Sequence, residues 1–382
     1  MQTKIPNDRK MTYKPSERKD YALPGKKYWI VFFTTLMLII AMTISLFAVL
    51  VIEDGNTNGI AISGGNSGSG NGKNPIVNNN TSIGVKTGIT LPCSTPNGNY
   101  LSSSASNVNT IDGIASDCAI LVDINGNISV AEKNADAIIY PASMTKVMTL
   151  LVACERATNP DVKLTITQEM VDYQQITGGS GNLAFAVGEQ ITVEDALYLI
   201  NYRSDTIACL LIAEYVAGGE QGFVDLMNQK AREIGLSKTN FTNCTGLHNE
   251  NHYTTCREMA AIMRCAVNNE TAKQIITAYS GYSVDIYLDG ALERNPTVYS
   301  GWYSERMGDN AWVGNASDVK VLGGKTGYED IPKACFVTYA QNTKSGKYYV
   351  CVTVGRQSEG GANLGSSQST TDTKTVYKTY AK

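Results

Sequence analysis

The sequence predicts an α+β domain built on an antiparallel sheet, because its strand-like and helix-like segments are grouped rather than alternating along the chain. A hairpin pattern lies near residue 125, amphipathic helices fill the middle, and three strand-like segments follow residue 318. We find no internal repeat.

The first element is a hairpin. The segment CAILVDINGNISVAEKN, residues 118–134, alternates apolar and polar residues on both sides of Asn125-Gly126. This dipeptide is a strong hairpin signal.

Helices are predicted next. After YPAS, apolar residues recur on one helical side at Val147, Leu150, Leu151 and Cys154. ITVEDALYLIN begins with a capping box from Thr192 to Asp195. SDTIACLLIAEYVAGG begins at a cap, Ser204 or Asp205, and ends at Gly218, and EQGFVDLMNQKAREIG is a further amphipathic helix.

Strands return near the C-terminus, as KVLGGKTG, KACFVTYAQ and KYYVCVTVG. The last two flank NTKSG and therefore predict a second hairpin. A short helix over Thr371–Ala381 is predicted to close the domain.

The N-terminal part predicts a membrane anchor. Residues 1–27 are polar and carry eight Lys or Arg, whereas residues 28–52, YWIVFFTTLMLIIAMTISLFAVLVI, carry no charge. This run is long enough to span a lipid bilayer, and the basic tail should stay cytoplasmic. The flanking LVIEDGNTNG lacks the small-residue site of a cleaved signal peptide, and a buried core helix is disfavoured because the run is not amphipathic.

Four regions follow from these patterns. They are a cytoplasmic tail at 1–27, a transmembrane anchor at 28–52, a Gly/Asn/Ser-rich linker at 53–110 and a folded domain at 111–382. The linker has too few large apolar residues to form a core. The domain is therefore predicted to lie outside a cell membrane that it crosses once.

Composition argues against two classes of function, nucleic-acid binding and metal binding. The chain has 382 residues and a net charge of -3, which argues against a nucleic-acid partner. Its nine cysteines show no C-x-x-C or histidine pairing, so we predict no metal site and expect most of them to be buried small hydrophobic residues.

Ser143 and Lys146 form the first candidate pair for chemistry. At a spacing of three they share a helical face, whereas Thr145 points elsewhere. Histidine usually activates a serine, but His248 and His252 lie together in one polar loop; a desolvated lysine can act instead. Alone, S-x-x-K equally fits a capping serine and a solvated lysine, as SERK at residues 16–19 illustrates.

A second signal is VLGGKTGYED. Lys325 and Thr326 lie in a predicted strand behind two glycines, which permit close backbone approach. A strand edge can pair with an extended peptide, and these two side chains could then bind a carboxylate. K-T-G is also weak alone, since residues 86–88 repeat it in the linker.

The order of the motifs is more specific. PASMTK, GEQITVEDALY, SDTIACLLIAEYVAGGEQGFVDLMNQKAREIGL and GGKTGYED occur in this order and resemble the penicillin-binding D-alanyl-D-alanine carboxypeptidases, active-serine enzymes of bacterial cell walls similar to the S11 peptidases. The resemblance covers about residues 118–355. It implies a penicillin-binding, serine β-lactamase-like α+β fold: an antiparallel sheet flanked by helices, with a helical subdomain.

One family motif, Ser-x-Asn, departs from its pattern. A literal match, SGN at residues 180–182, precedes the helix from Thr192, whereas the family motif follows that helix. Aligning on Asp205 instead selects YRS, so that Tyr202 replaces the family serine and Ser204 the asparagine. The alternative is that YRS is only a loop between helices, with Ser204 as a cap.

The resemblance implies a mechanism residue by residue. Lys146 takes the proton of Ser143, which attacks the penultimate D-alanine of a peptidoglycan stem peptide ending in D-Ala-D-Ala. Tyr202 or Ser204 protonates the leaving D-alanine.

The resemblance also implies how the substrate is held. Lys325 and Thr326, on the strand that continues through Gly327, bind the substrate carboxylate. The N–H groups of Ser143 and Tyr328 stabilise the oxyanion. β-Lactams would acylate the same serine, and no cofactor is implied.

Three other functions stay open. A serine β-lactamase shares these motifs but needs a deacylating group, for which the sequence offers no clear candidate. A tethered, non-catalytic penicillin- or peptide-binding sensor fits the departure from Ser-x-Asn. A transpeptidase would pass the acyl group to an amine rather than to water.

Overall fold

The computed structural model describes residues 108–181, 183–303, 307, 311–313, 318–329, 333–355 and 366–382. The predicted cytoplasmic tail, the anchor at 28–52 and almost all of the predicted linker lie outside these residues.

A six-stranded sheet forms the centre of the domain, in the order β1-β3-β2-β14-β13-β12. Its strands are β1 (Asn109–Thr110), β2 (Cys118–Asp123), β3 (Ile128–Lys133), β12 (Val319–Glu329), β13 (Lys333–Asn342) and β14 (Tyr348–Val354). All neighbours are antiparallel except β1 and β3. The predicted antiparallel sheet and both predicted hairpins are confirmed.

Side chains alternate between two cores, as the two-residue repeat of a strand requires. In β2, Ile120 and Val122 face the core shared with most of the helices, whereas Ala119 and Leu121 face the other. The second core is covered by the C-terminal helix α8 (Ser366–Tyr380), which contributes Val376 and Tyr377. The sheet is therefore buried on both faces, which explains why all six residues of β2 are buried.

Seven further α-helices are found in the described part of the chain, and most of them pack against the first core. They are α1 (Lys146–Arg156), α2 (Gln168–Thr177), α3 (Val193–Tyr202), α4 (Thr206–Ala217), α5 (Glu220–Glu233), α6 (Cys256–Asn268) and α7 (Glu270–Thr277).

Short strands complete the helical part. A four-stranded sheet has the order β10-β9-β6-β5, and two-stranded sheets pair β11 with β8 and β4 with β7. The strands are β4 (Ile138–Ile139), β5 (Lys163–Thr165), β6 (Gln190–Thr192), β7 (Thr254–Thr255), β8 (Tyr282–Ser283), β9 (Ile286–Leu288), β10 (Ala291–Arg294) and β11 (Thr297–Val298).

The predicted caps of α3 and α4 agree with the structure. Thr192 and Asp195 form the capping box of α3, in which the Thr192 hydroxyl accepts the Asp195 N–H and the Asp195 carboxylate accepts the Thr192 N–H. Asp205 caps α4 by accepting the N–H of Ala208, and α4 ends at Gly218 with a left-handed φ of 68°. Of the two cap candidates, Asp205 is therefore the residue used.

Two predicted boundaries differ from the structure. Asn109 and Thr110, assigned to the end of the linker, form β1 and pair with Ala131 and Glu132, so the folded part begins before residue 111. The C-terminal helix begins five residues earlier than predicted, at Ser366. Its first turns are rich in Ser and Thr, which lower helix propensity and conceal its start in the sequence.

Within the described residues, no single helix has both the length and the hydropathy needed to cross a bilayer. By those criteria alone α4 and α5 pass together, as a pair bent by 82°.

Candidate active site

Ser143 lies on a 3-10 turn, Ala142–Thr145, that leads directly into α1. Pro141 precedes the turn with φ -71°, and Ala142 has a left-handed φ of 47°. For a residue with a side chain this conformation costs about 1–2 kcal/mol, and such strain is typical of functional sites. The turn is therefore held by its surroundings rather than by local preference.

Lys146 is 2% exposed, and its Nζ donates to the Ser143 Oγ at 3.2 Å. The same Nζ donates to the carbonyl oxygen of Thr245 at 2.5 Å. The sequence-based expectation that Ser143 and Lys146 share one face is thus confirmed. A buried amine in direct contact with a serine hydroxyl can, when it is neutral, take the proton of that hydroxyl.

The loop around Thr245 was not identified from the sequence, although it forms the wall behind Lys146. The Asn243 Oδ1 accepts the N–H groups of Thr245 and Gly246, which shapes the turn. Gly246 has φ +85°, and a Cβ there would lie 2.1 Å from the Ala142 carbonyl oxygen. Only glycine permits this approach. The signal in TNCTGL is that of an ordinary Asn/Gly turn and carries no indication of catalysis.

Lys325 lies on β12, the strand at the edge of the sheet, and is 2% exposed. Its Nζ donates to the Ser204 Oγ at 3.0 Å and to the Thr326 carbonyl at 3.0 Å. Gly327 packs on the 3-10 turn that carries Ser143, because a Cβ there would lie 3.2 Å from the Cβ of Ala142. Tyr328 is 48% exposed. The K-T-G strand therefore lies beside the 3-10 turn of Ser143.

The structure separates Tyr202 from Ser204. The Tyr202 hydroxyl donates to the carbonyl of Ser280 at 3.0 Å, and its ring packs edge-on against Tyr198 and Tyr282. Burial raises the pKa of Tyr202, which disfavours its ionised form. Tyr202 is thus engaged in packing, whereas Ser204, with φ +57°, presents its hydroxyl to Lys325.

The contact between Ser204 and Lys325 allows a second alignment of the Ser-x-Asn motif beside the predicted one. If Ser204 is the serine of the motif, its third position falls on Thr206 rather than on Ser204. The Thr206 Oγ1 is buried and has no hydrogen-bond partner among the described residues. Asp205, on which the predicted alignment is based, serves here as the cap of α4.

The literal SGN match lies closer to the site than the sequence suggested. The Ser180 Oγ donates to the carbonyl oxygen of Ser204, and the Ser180 carbonyl accepts the Thr206 N–H at 2.8 Å. These contacts support the loop through its backbone and place no Ser180 group against Lys325. Asn182 lies outside the described residues.

The buried carboxyl group of Asp205 contributes to the electrostatics near Lys146. Asp205 is fully buried, its Oδ1 accepts the Ala208 N–H at 2.9 Å, and its Oδ2 has no hydrogen-bond partner within the described ranges. Gly181 covers it so closely that a Cβ there would lie 2.3 Å from Oδ2. Burial raises the pKa of Asp205 to about 6, against the opposing effects of the Ala208 N–H and the Lys146 charge.

The cysteines agree with the sequence prediction in the described part of the chain. Eight of them are free and buried: Cys118, Cys154, Cys209, Cys244, Cys256, Cys265, Cys335 and Cys351. They contribute to packing as small hydrophobic residues.

Comparison with known structures supports the fold. The DD-transpeptidase of Streptomyces K15 superposes with a TM-score of 0.57 at 22% identity, over 69% of this chain and 96% of that one. Penicillin binding protein 5 from Haemophilus influenzae superposes with a TM-score of 0.54 at 21% identity, over 69% of this chain and 70% of that one. The penicillin-binding α+β fold is thereby confirmed.

Two relatives found by sequence similarity are D-alanyl-D-alanine carboxypeptidases. D-alanyl-D-alanine carboxypeptidase DacF of Bacillus subtilis strain 168 is 29% identical over 228 residues, 58% of this chain and 53% of that protein. DacC of Escherichia coli K12 is 32% identical over 155 residues, 39% of each protein. The match thus spans about half of the first relative and less of the second. Because the D-alanyl-D-alanine carboxypeptidase family model of the S11 peptidases matches residues 102–357, the chain belongs to this family.

Proposed function

We propose that the protein is a serine-type D-alanyl-D-alanine carboxypeptidase that removes the terminal D-alanine from peptidoglycan stem peptides. The observation that carries the proposal is the 3.2 Å contact between the Ser143 Oγ and the buried Lys146 Nζ. Family membership and the neighbouring Lys325–Ser204 pair support it.

Acylation follows from this geometry. Lys146 takes the proton of Ser143, and the Ser143 oxygen attacks the carbonyl carbon of the penultimate D-alanine. The N–H groups of Ser143 and Tyr328 stabilise the oxyanion, and such donors typically contribute ~3 kcal/mol each. The C–N bond then breaks, and the leaving D-alanine needs a proton on its nitrogen.

We assign delivery of that proton to Ser204 instead of Tyr202. The Ser204 hydroxyl contacts Lys325, whereas the Tyr202 hydroxyl is bonded to Ser280. Lys325 and Thr326 bind the terminal carboxylate of the substrate, the former by charge and the latter by its hydroxyl. Water then hydrolyses the ester on Ser143 and restores the free serine.

The cellular setting is also a proposal. The uncharged run at 28–52 with basic residues before it supports a single-pass anchor in the cell membrane, with the catalytic domain extracytoplasmic. A coil of about 50 residues, like the Gly/Asn/Ser-rich linker, has an average reach of roughly 40 Å. The domain would then sample the wall close to the membrane.

The direct test uses a peptide ending in D-Ala-D-Ala, with D-alanine release measured beside labelling by a fluorescent penicillin. We expect both activities in the full chain. Ser143→Ala should abolish both and remain folded, whereas Ser16→Ala, which changes the chance match SERK, should abolish neither.

The same experiment separates the alternatives. Penicillin labelling without D-alanine release would support the sensor, and rapid turnover of penicillin would support a β-lactamase. Transfer of the acyl group to an added amine in preference to water would support a transpeptidase. Labelling that survives Ser143→Ala would refute the assigned nucleophile.

A further inference from the structure

His252 was rejected as a candidate base from its sequence context. In the structure it contacts the 3-10 turn Ala142–Thr145, which carries Ser143 and is called the catalytic turn below. It is 2% exposed, and its Nε2 lies 2.8 Å from the Oγ1 of Thr145. Thr145 lies between Ser143 and Lys146, is 1% exposed, and forms the junction between the 3-10 turn and α1. His252 therefore reaches the backbone segment that sets the distance between nucleophile and base.

The hydrogen bonds define which ring nitrogen carries the proton. The Nδ1 of His252 accepts the backbone N–H of Thr242 at 3.1 Å, so Nδ1 must be unprotonated. The neutral ring then carries its proton on Nε2, which donates to Thr145. Burial, followed by the charges of His248 and Lys146, lowers the pKa of His252 to about 3. The ring is thus a fixed neutral donor over the working pH range.

The ring itself is held firmly. The backbone N–H of His252 donates to the Asn249 carbonyl at 2.9 Å. The Phe241 ring packs edge-on against the imidazole, with 5.5 Å between the ring centroids. Asn240 and Tyr253 pair through their backbones and close the loop between them. That loop also contains Thr245, whose carbonyl accepts Lys146. One loop therefore contacts the catalytic turn at two adjacent positions.

We propose that His252 is a positioning residue, which holds the Ser143–Lys146 pair in its reactive geometry by donating its Nε2–H to Thr145. This inference rests on the proposed acyl-enzyme chemistry of Ser143, and it concerns the rate of acylation rather than substrate choice. His252 transfers no proton to the substrate. A displacement of about 1 Å between reacting groups can cost ~100-fold in rate, so a single buried bond at this junction has a measurable effect.

The test measures the limiting acylation rate with a chromogenic β-lactam, per active site titrated, in the full chain. Thr145→Val removes the hydroxyl at nearly constant shape and should slow acylation by about 10- to 100-fold, and His252→Phe should do the same. Thr145→Ser retains the hydroxyl and should restore the rate. The double variant, Thr145→Val with His252→Phe, should be little slower than either single variant, because each single change already removes the same hydrogen bond.

Thr338→Val is the matched control. Its hydroxyl is also buried, and it bonds the Tyr377 hydroxyl at 2.8 Å under α8, in the other core. This variant should lower the unfolding temperature about as much as Thr145→Val while leaving the acylation rate per active site unchanged. Equal acylation rates for Thr145→Val, His252→Phe and the parent would overturn the proposal.

Two further readouts separate positioning from proton transfer. The rate ratio of His252→Phe to the parent should be constant from about pH 5 to about pH 9, because the neutral ring does not titrate there; a ratio that changes with pH contradicts positioning. Nitrogen NMR of His252 should show a neutral ring protonated on Nε2 at about pH 6. A parent that forms no β-lactam adduct refutes the proposed function, and the NMR result still decides this inference: a ring protonated on Nδ1 would overturn it.

Discussion

Asp205→Asn tests how the burial of one carboxyl determines the pH dependence of stability. The asparagine oxygen can still accept the Ala208 N–H that Asp205 Oδ1 accepts, so the cap of α4 is retained. What the substitution removes is the titration of a fully buried acid.

The magnitude follows from the pKa of Asp205, which burial raises to about 6 in the folded protein from its ordinary value of 3.8. Between these values the folded state binds more protons than the unfolded chain, so the free energy of unfolding falls as the pH rises. A difference of about two pH units corresponds to about 3 kcal/mol. The stability of the variant relative to the parent should therefore increase by about 3 kcal/mol from about pH 4 to about pH 8.

Urea unfolding followed by tryptophan fluorescence, repeated across this pH range, measures the difference directly. Titrations common to both proteins cancel in the comparison. Asp161→Asn, which removes an exposed carboxylate, should give a nearly constant difference from the parent. A constant difference for Asp205→Asn as well would refute the reasoning, because it would mean that burial does not perturb this carboxyl.

Three further predictions concern the site and the topology. Ser204→Ala should slow acylation by ~100-fold whereas Tyr202→Phe should leave it nearly unchanged, since of these two hydroxyls the one on Ser204 contacts Lys325; the opposite ranking in stopped-flow assays would assign the proton transfer to Tyr202. Gly246→Ala forces a methyl group to 2.1 Å from a backbone oxygen and should lower the unfolding temperature far more than Gly113→Ala, which has a similar φ but open space around it; equal losses would mean that the contact relaxes freely. Protease added to wall-stripped cells should digest the domain and spare the tail before residue 28, and a protected domain would contradict the predicted orientation.

The sequence predicted the contact between Ser143 and Lys146 and the central sheet because both depend on local spacing. Ser143 and Lys146 are three residues apart, so any helical turn brings them together. The hairpins of the central sheet were marked by Asn125-Gly126 and by NTKSG, whose turn residues define which strands pair.

The details that sequence could not supply depend on backbone direction and on long-range contacts. Tyr202 and Ser204 both carry hydroxyls, and only the left-handed φ of Ser204, at 57°, decides which one reaches Lys325. Thr245 acts through its carbonyl oxygen, a group that every residue possesses. His252 lies 107 positions from its partner Thr145, and no periodicity links them.

The placement of β1 has a mechanical consequence. β1 and β12 form opposite edges of the six-stranded sheet, separated by five interstrand spacings of about 4.8 Å, or about 24 Å. A force transmitted through the chain before Asn109 would first load the two-residue pairing of β1 with β3, which is short enough to peel open. The strand that carries Lys325 lies at the far edge, so tension from the N-terminal side would act first on β1, far from the residues proposed to bind the substrate.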